Sequence, residues 1–407
     1  MKIWLINNYN MLPEHGQLTR NYFFGKCLKE LGHEPLAFVG SHPHNTSLQL
    51  INGSEKFRVY QEEPFPWVLI KTRNYEGSKI SRVFSMFEFY WNMKDAAKSF
   101  EKPDVIIGSS AHPLAALLAI QLGKKFGCKS IVEIRDLWPE SIVEYGILGA
   151  NNPIVLIMRR FEKWLYVRAN EVVFTFEGGY DYIKEQGWQR EIPKSKVHYI
   201  NNGIDLAQFD YDKEHFVLQD TDLDDGKFFK VVYAGSIRRV NSLGKLLDVA
   251  KLVKNPKVIF LIWGDGDELT KLKERIENEN IRNVVFKGRI EKKYVPYVTT
   301  KANLNFMHND NSKIFRFGIS ANKLFDYLAA GVPVLCDFYA NYNPVNIYKA
   351  GVTVDTGEVK DIAAMIDAFA NIRTQQLSKY EKNARTAAKE FDFNCLTKKL
   401  IHVIEKA

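Results

Sequence analysis

The chain has 407 residues, of which 46% are hydrophobic and 26% charged, so it is too long for one ordinary core and too apolar to be disordered. We therefore expect two folded domains. The formal net charge of +8 fits nucleic acid, anionic lipid or a phosphorylated substrate, or reflects solubility alone, and no nucleic-acid-binding motif is present. Four cysteines lie far apart without a CxxC pair, which favours reduced thiols over a disulfide framework or a zinc site.

The first half of the chain alternates short apolar runs with helix-like stretches, which is the β-α-β rhythm of a parallel sheet. The first apolar run is too short for a signal peptide, and we expect it to be a buried strand. No segment is long and apolar enough to span a bilayer. Strands are predicted at 2–6, 35–39, 105–108 and 130–134, and helices at 18–31 and after Pro113.

The second half repeats this rhythm after a turn-rich NNGID segment at 201–205. We predict an α/β fold with two Rossmann-like domains across a cleft, spanning 1–195 and 196–387, with a C-terminal helix at 388–407 completing the first. Strands are predicted at 230–234, 258–263, 284–286, 304–307, 333–336 and 351–354, and helices at 242–253, at 268–279 and from Lys323.

The stretch SANKLFDYLAAGVPV, which begins at Ser320, predicts a ligand site at the start of a helix. Asn322 and Lys323 would add an ammonium to the free N–H groups and positive dipole end of that helix, which suits a diphosphate. Asp326 lies one turn later, where its carboxylate could accept hydrogen bonds from both ribose hydroxyls of a nucleotide. The same spacing fits a core helix with a solvated Lys and Asp, and the residues alone leave both interpretations open.

In the first domain, three loops follow predicted strands, at the edge where parallel sheets bind ligands. Gly16 would let the backbone approach a ligand and Arg20 could meet an anion, although we slightly favour an ordinary polar loop here. His112 stands beyond the strand 105–108, where we favour a site role. In EIRDLWPES, Asp136 and Glu140 gather charge at such an edge.

In the same EIRDLWPES loop, Trp138 could stack on a sugar face. In the second domain, YAGSIRRV places Gly235, Arg238 and Arg239 after the first strand, and we expect one arginine to reach a phosphate. Gly264 belongs to WGDGDE, which has two glycines of a GxGxxG fingerprint but lacks the third. Asp-x-Asp pairs occur at 210/212, 222/224 and 265/267, and we interpret them as solvated turns, so no metal site is predicted.

Two stretches combine aromatic and cationic residues at helical spacing. From Ile154 onward, Ile157, Phe161 and Trp164 recur among arginines and lysines, and a second such stretch covers 79–91. Buried core helices are the alternative. The mixture of cationic and aromatic side chains favours contact with an anionic membrane.

Taken together, KLFDYLAAGVPV, HGQLTR, SSAHPLAA, IRDLWPES and NNGID resemble glycosyltransferase family 4, retaining enzymes of the GT-B fold, over nearly the whole chain. The IRDLWPES and KLFDYLAAG versions look most like the branch that builds bacterial O-antigen, capsule and other surface polysaccharides. The resemblance implies a UDP-linked N-acetylated deoxyhexosamine as donor and a polyprenyl diphosphate, often carrying sugar, as acceptor. We expect no cofactor and no metal. From the reduced cysteines and the two aromatic and cationic stretches we expect a cytoplasmic protein peripheral to the inner face of the cell membrane.

Carried over by position, the resemblance makes Asp326 the second Glu of the family's Glu-x7-Glu motif, the ribose ligand. The first Glu falls on Gly318, so the side chain that would contact the donor sugar is missing. Backbone N–H groups around Ile319 and Ser320, or Asn322, would have to replace it.

The resemblance also implies roles for residues near the diphosphate. Arg238 and Arg239 replace the family's Arg and Lys at shifted positions, which makes Lys323 the better diphosphate ligand. His112 matches an acceptor-domain His near the anomeric centre, and Gly16 the loop that approaches the diphosphate. The residues assigned to catalysis are His112, Lys323 and Arg238, and those assigned to substrate binding are Gly16, Arg20, Asp136, Trp138, Glu140, Asn202, Gly235, Arg239, Gly264, Arg289, Ile319, Ser320, Asn322 and Asp326.

Two other functions remain open from the sequence. A non-hydrolysing sugar-nucleotide epimerase uses a similar two-domain frame. A catalytically silent sugar-nucleotide-binding partner is the second alternative, because the first Glu of the family motif is lost.

Overall fold

The computed structural model describes residues 1–13, 19–44, 46–60, 64–110, 112–310 and 312–407. The chain divides into two compact units, Met1–Asn201 with Phe393–Ala407, and Asn202–Asp392. The boundary lies after Asn201 rather than after residue 195, and the helix that returns to the first unit starts at Phe393 rather than at 388. The preceding helix belongs to the second unit, where Arg385 donates to the carbonyl of Ala329 at 2.6 Å.

Each unit is built on one sheet. Within the described residues, the first sheet has eight strands in the order β3-β4-β2-β1-β5-β6-β7-β8, and the second has six in the order β11-β10-β9-β12-β13-β14. All neighbouring strands are parallel except β3 and β4. The strands are β1 (Lys2–Ile6), β2 (Glu34–Gly40), β3 (Phe57–Tyr60), β4 (Trp67–Ile70), β5 (Val105–Ser109), β6 (Lys129–Ile134), β7 (Glu171–Phe174), β8 (Val197–Tyr199), β9 (Phe229–Ala234), β10 (Val258–Trp263), β11 (Val284–Gly288), β12 (Leu304–Met307), β13 (Val334–Cys336) and β14 (Gly351–Thr353).

Helices cover both faces of each sheet, because the strands of a parallel sheet are joined by crossover helices. The helices are α1 (Arg20–Glu30), α2 (Lys79–Ala96), α3 (Pro113–Phe126), α4 (Glu140–Glu144), α5 (Pro153–Arg168), α6 (Gly179–Glu185), α7 (Leu206–His215), α8 (Thr221–Asp224), α9 (Gly244–Leu252), α10 (Leu269–Asn278), α11 (Val295–Thr300), α12 (Asn322–Ala330), α13 (Pro344–Ile347), α14 (Val359–Ala370), α15 (Thr374–Glu390) and α16 (Phe393–Lys406). Among the described residues, no helix has the length and apolar character needed to cross a bilayer.

The central strands explain why both faces of each sheet are buried. In β1, Ile3 and Leu5 pack in one core with α1 and α16, whereas Trp4 and Ile6 pack in another with α2 and α3. Strand β9 divides its side chains in the same way between the α12 side and the α9 side. Side chains that alternate across a strand fill both cores, so the strand is apolar throughout.

The strand order also places the loops where a ligand can bind. In the first unit, β1 has β2 on one side and β5 on the other, and in the second, β9 lies between β10 and β12. At β1 and at β9, the strands that follow in the chain are added first on one side and then on the other, so the strand order reverses there. Open parallel sheets bind ligands at such points, beyond the carboxyl ends of the strands. The segments after β1 and β5, and after β9 and β12, are therefore the candidate sites.

Candidate functional site

In the second unit, the start of α12 leaves backbone donors without a side-chain cap. Ala321 precedes the helix and supplies no capping oxygen, and Asn322, the first helical residue, is exposed. The preceding loop is held by Asn202, whose side-chain amide donates to the carbonyl of Ser320 at 2.7 Å. Uncapped N–H groups at a helix start bind anions readily. Asn202, assigned to substrate binding from the sequence, thus shapes the loop that leads to these donors.

Lys323 lies at the reversal point of the second sheet. Its Nζ donates to the carbonyl of His308, just beyond β12, at 2.8 Å and lies 3.4 Å from the hydroxyl of Tyr233, in β9. Burial lowers the pKa of this amine to about 8, and nearby Asp337 opposes the shift. Among the residues described, no carboxylate contacts the ammonium directly. A cation held mainly by neutral oxygens can accept a phosphate as partner.

Asp326 lies on the same helix, and its carboxylate is buried. The Nζ of Lys292 contacts both oxygens, Oδ1 at 2.7 Å and Oδ2 at 2.6 Å. Lys292 belongs to a 3-10 turn, Lys292–Tyr294, that follows β11. The sequence predicted Asp326 as a ribose ligand but gave no signal for Lys292, because nothing local relates the two residues.

Gly318, where the first Glu of the motif would fall, has a backbone that explains the substitution. Its φ is 115° and its ψ is −179°, a combination that is essentially restricted to glycine. The next residue, Ile319, is buried in the core shared with α12. A Glu at this position would strain the backbone. The backbone conformation of the loop therefore explains why the acidic residue of the motif is absent.

The glycines after β9 and β10 serve close packing of two loops. A Cβ on Gly264, which has a φ of 151°, would lie 1.8 Å from the carbonyl oxygen of Gly235. A Cβ on Gly266 would lie 2.2 Å from the carbonyl oxygen of Ile237. This close approach requires glycine at Gly264, and the assignment of Gly235 and Gly264 to substrate binding stays a prediction.

Three arginines of the second unit remain exposed. Arg238 and Arg239 follow β9, and Arg289 follows β11. In the described part of the chain, none of the three side chains has a hydrogen-bonding or ionic partner. That one of Arg238 and Arg239 reaches a phosphate stays a prediction, since both side chains are exposed in the absence of a ligand. All three are available to an anionic ligand.

A buried ionic cluster lies beneath Lys323, and the sequence did not reveal it. His308 Nδ1 lies 2.6 Å from Asp337 Oδ2, and its Nε2 lies 3.1 Å from the carbonyl oxygen of Ser242. Lys245 Nζ approaches the same Asp337 oxygen at 3.4 Å. Both partners of the ring are acceptors, so both ring nitrogens donate only when the imidazole is protonated. His308 and Asp337 directly follow β12 and β13, and the rule that singled out His112 could have found them.

In the first unit, His112 lies at the reversal point between β1 and β5. Its side chain is fully buried, with the ring edge-on to Tyr9 at 5.5 Å and to Phe89 at 6.0 Å. Neither ring nitrogen has a hydrogen-bond partner among the described residues. Burial lowers the pKa of the imidazole to about 3, so the ring is neutral at physiological pH. The position is the predicted one, but the ring does not face solvent.

Aromatic side chains surround this histidine, and the sequence did not predict them as a group. Tyr9 lies 5.1 Å from the ring of His44, and His44 Nδ1 is 2.9 Å from the hydroxyl of Tyr75. Arg82 on α2 donates through Nε to the hydroxyl of Tyr9 at 3.3 Å. Aromatic faces next to a guanidinium group suit a sugar carrying a phosphate.

The structure contradicts a ligand role for Arg20. Its Nε donates to Glu133 at 2.8 Å, and its two terminal nitrogens donate to the carbonyls of Asn201 and Ile200 at 2.5 and 2.8 Å. The guanidinium group is buried, and burial lowers its pKa. Arg20 thus links β6 to the two residues that directly follow β8. Gly16, predicted in the same loop, lies outside the described residues.

In the EIRDLWPES loop, two of the predicted site residues remain candidates for substrate contact and the third has a structural partner. The side chain of Asp136 is exposed. Desolvation by the surrounding protein nonetheless raises the pKa of its carboxyl group, and the charge of Arg135 opposes that rise. The indole N–H of Trp138 is buried and has no partner among the described residues. Glu140 pairs with Arg159 at 2.9 Å, which ties α4 to α5. Asp136 and Trp138 therefore remain candidates for contact with substrate, whereas Glu140 has a structural partner.

Two helices of the first unit carry exposed apolar side chains. On α5, Ile154 and Ile157 are exposed, and Trp164 stacks on the half-buried Phe161. The exposed stripe of α2 is larger and comprises Ile80, Val83, Phe84, Phe87 and Trp91. The alternative of two buried core helices is therefore wrong for these faces. Apolar stripes of this size on one domain indicate an interaction surface.

Two family models match the chain. Residues 16–208 match "Glycosyltransferase Family 4", and residues 219–389 match "Glycosyl transferases group 1". Together they cover most of both units.

The chain also resembles curated proteins over part of its length, and solved structures in its fold. The chain is 22% identical over 218 residues to "Probable glycosyltransferase WbjE" of Pseudomonas aeruginosa, covering 52% of this chain and 51% of that protein. It is 23% identical over 190 residues to WcaI of Escherichia coli (strain K12), whose name refers to colanic acid biosynthesis, covering 46% of each. The matches thus span about half the length of these relatives. The fold resembles Anabaena Alr3699/HepE in complex with UDP-glucose, with a TM-score of 0.66, 14% identity and full coverage of both chains.

Proposed function

The chain belongs to glycosyltransferase family 4 and has the GT-B fold, and from this premise we propose that it transfers a sugar from a UDP-sugar to a lipid-linked or saccharide acceptor. The observation that carries the proposal is the start of α12. There, uncapped N–H groups, Lys323 and Asp326 lie together at the reversal point of the second sheet. The UDP-glucose complex of Anabaena HepE supports a UDP-linked donor.

For the sugar and the acceptor, the proposal follows the resemblance to the surface-polysaccharide branch. We propose an N-acetylated deoxyhexosamine as the transferred sugar and a polyprenyl diphosphate, often already glycosylated, as the acceptor. The similarity to WcaI, named for colanic acid biosynthesis, supports a place in polysaccharide assembly. The Asp136 and Trp138 loop and the aromatic group around Tyr9 are the proposed acceptor-side contacts.

The proposed reaction retains the anomeric configuration and uses no metal ion. The acceptor hydroxyl attacks the anomeric carbon from the face that the diphosphate leaves, and its proton passes to an oxygen of the departing β-phosphate. The N–H groups of α12, the ammonium of Lys323 and the exposed Arg238 would stabilise the charge that develops on the leaving group. The neutral ring of His112 would offer a hydrogen bond rather than charge, which requires the side chains that bury it to move when substrate binds.

We also propose that the first unit docks on an anionic membrane at the inner face of the cell membrane. The apolar stripes of α2 and α5 lie beside cationic residues, with Lys94 near the ring of Trp91 and Arg168 near the ring of Trp164. Apolar side chains that enter the interface, with cations at the headgroups, are typical of peripheral membrane proteins. A lipid-linked acceptor would be presented at that surface.

The test is release of UDP from UDP-sugars with and without lipid-linked acceptors. We expect acceptor-dependent release, abolished by Asp326→Asn through loss of nucleotide binding. His112→Ala should leave nucleotide binding intact and lower turnover. Conversion of the UDP-sugar without acceptor would indicate an epimerase instead, and nucleotide binding without turnover for any acceptor would indicate a binding partner.

A further inference from the structure

Lys292 covers the carboxylate that we assign to the ribose. Its ammonium contacts both oxygens of Asp326, at 2.7 and 2.6 Å. We propose that Lys292 competes with the nucleotide ribose for Asp326 and must leave the carboxylate before the two hydroxyls can bind. This inference rests on the proposed function, which makes Asp326 the ribose ligand.

The exposure of the two side chains supports displacement over shared binding. The side chain of Asp326 is 7% exposed, whereas that of Lys292 is 58% exposed. The carboxylate has little open surface of its own, and the ammonium covers it from the side that solvent reaches. Two hydroxyls that approach from solvent therefore have to take the position of the ammonium.

The exchange leaves the carboxylate with hydrogen-bond donors both with and without nucleotide, as a buried carboxylate requires. Without nucleotide, Lys292 supplies them, and with nucleotide, two hydroxyls do. The displaced ammonium has other places to go because most of its side chain is in solvent. Asp212 on α7 is close enough for Lys292 to lower the pKa of its carboxyl group, although burial raises that pKa overall.

The consequence is a nucleotide affinity below what the ribose contacts alone would give. Each binding event breaks the Lys292–Asp326 pair, so part of the binding free energy is lost. The same effect acts on the product nucleotide, and it favours release after transfer. Lys292 is thus a positioning residue that keeps Asp326 in place and satisfied when the site is empty.

The experiment measures uridine and dideoxyuridine binding to the full chain by calorimetry. Uridine lacks phosphates, so Lys323 and the arginines do not contribute. We expect Lys292→Met to bind uridine about fivefold more tightly, which corresponds to the roughly 1 kcal/mol of a solvent-accessible ion pair. Dideoxyuridine, which lacks both hydroxyls, should show no such gain. High salt, which weakens the pair, should tighten uridine binding to the wild type but not to the variant.

Lys293→Met is the matched control. Lys293 lies in the same 3-10 turn, but its ammonium pairs with Glu291 at 2.9 Å and lies over the rings of Phe216 and Tyr294. It should leave uridine affinity unchanged. Asp326→Asn should lose uridine binding both alone and in combination with Lys292→Met.

The outcomes separate this inference from the proposed function. If the wild type binds uridine and Lys292→Met binds it equally or less tightly, competition is refuted while the nucleotide site stands. If neither protein binds uridine or UDP, the assignment of Asp326 and the inference built on it are both refuted.

Discussion

Gly318 shows how one backbone angle removes a family residue. At a φ of 115°, a side chain costs about 1–3 kcal/mol of backbone strain. The first Glu of the motif is therefore absent because the backbone of this loop differs from that of the family. Introducing a Glu side chain alone would not restore its contact with the donor sugar.

Gly318→Glu tests this directly. We expect it to lower the free energy of unfolding by about 1–3 kcal/mol, measured by urea denaturation, without improving turnover. Gly149→Glu is the control, because Gly149 is exposed and a Cβ there has open space. Unchanged stability together with faster turnover would mean that the loop follows the ordinary path of the family.

Lys323 predicts a pH dependence of nucleotide binding. Its pKa of about 8 lies below the ordinary 10.5 because burial disfavours the charged amine. The ammonium is lost as pH rises through about 8, so UDP affinity should fall above that pH. The folded chain releases this proton before the unfolded chain does, so the residue's contribution to stability rises with pH between about 8 and 10.5.

The measurement is UDP affinity from neutral to alkaline pH. Lys323→Met should bind UDP more weakly at neutral pH and should lose the fall above pH 8, while uridine binding should stay flat in both proteins. A fall of the same size in Lys323→Met would assign the pH dependence to another group.

At the scale of elements, α5 and α6 are joined by a buried carboxyl group. Glu162 Oε1 accepts from the hydroxyl of Tyr166 at 2.6 Å, and its Oε2 accepts from that of Tyr182 at 2.7 Å. Burial raises the pKa of Glu162 to about 8 despite both contacts. The folded chain thus keeps a proton that the unfolded chain loses near pH 4.5, and stability should fall as pH rises from about 4.5 to 8.

Glu162→Gln should remove that slope, because the amide cannot ionise. We expect the wild type to lose roughly 3–4 kcal/mol of unfolding free energy between pH 5 and 8, and the variant to lose clearly less, by urea denaturation at each pH. Glu185→Gln, on the surface of the same α6 region, serves as the control. Parallel pH profiles for wild type and Glu162→Gln would show that Glu162 is ionised in the folded chain.

Burial alone did not decide which strands could be predicted, since β4 and β7 are buried throughout and were missed. Strands β1, β5, β9, β10 and β12 were predicted closely, because a central parallel strand is a continuous apolar run. Strands β3, β4, β7 and β8 were not predicted. The edge strand β3 is half exposed, and β8 has only three residues, so neither leaves a periodic signal.

The same limit applies to the site. The positions of Lys323 and Asp326 on α12 followed from the helix signal in SANKLFDYLAAGVPV. Their partners, Lys292 and His308, did not, because the pairings depend on the order in which β9, β11 and β12 associate. The sequence predicted ligand contacts for Arg20 and Glu140. In the structure Arg20 pairs with the buried Glu133, and Glu140 pairs with the half-buried Arg159.

At the scale of the whole molecule, each unit places its candidate residues at the reversal point of its sheet. In the first unit these are His112 and the aromatic group around Tyr9, and in the second Lys323 beside β9 and β12. This common placement is what the GT-B fold gives both halves, and in the second unit it coincides with the helix start to which we assign the diphosphate.

The membrane proposal also belongs to this scale. Replacing Phe84 and Trp91 on α2, or Ile157 and Trp164 on α5, with Glu should release the protein from anionic vesicles in co-sedimentation, because charges in these stripes oppose insertion. Ile347→Glu, at an exposed apolar position of α13 in the second unit, is the control. Equal sedimentation of all variants would exclude both helices as membrane contacts.

The central claim is that the start of α12 binds the diphosphate and ribose of a UDP-sugar. Thermal unfolding of the wild type and of Asp326→Asn, with UDP, GDP, ADP and NAD, each with and without EDTA, tests it most directly. We predict that UDP alone stabilises the wild type, by about 2.7 kcal/mol at 100 times its dissociation constant, that EDTA has no effect, and that Asp326→Asn does not respond. A wild type that no nucleotide stabilises, or an Asp326→Asn variant stabilised as much as the wild type, would contradict the claim.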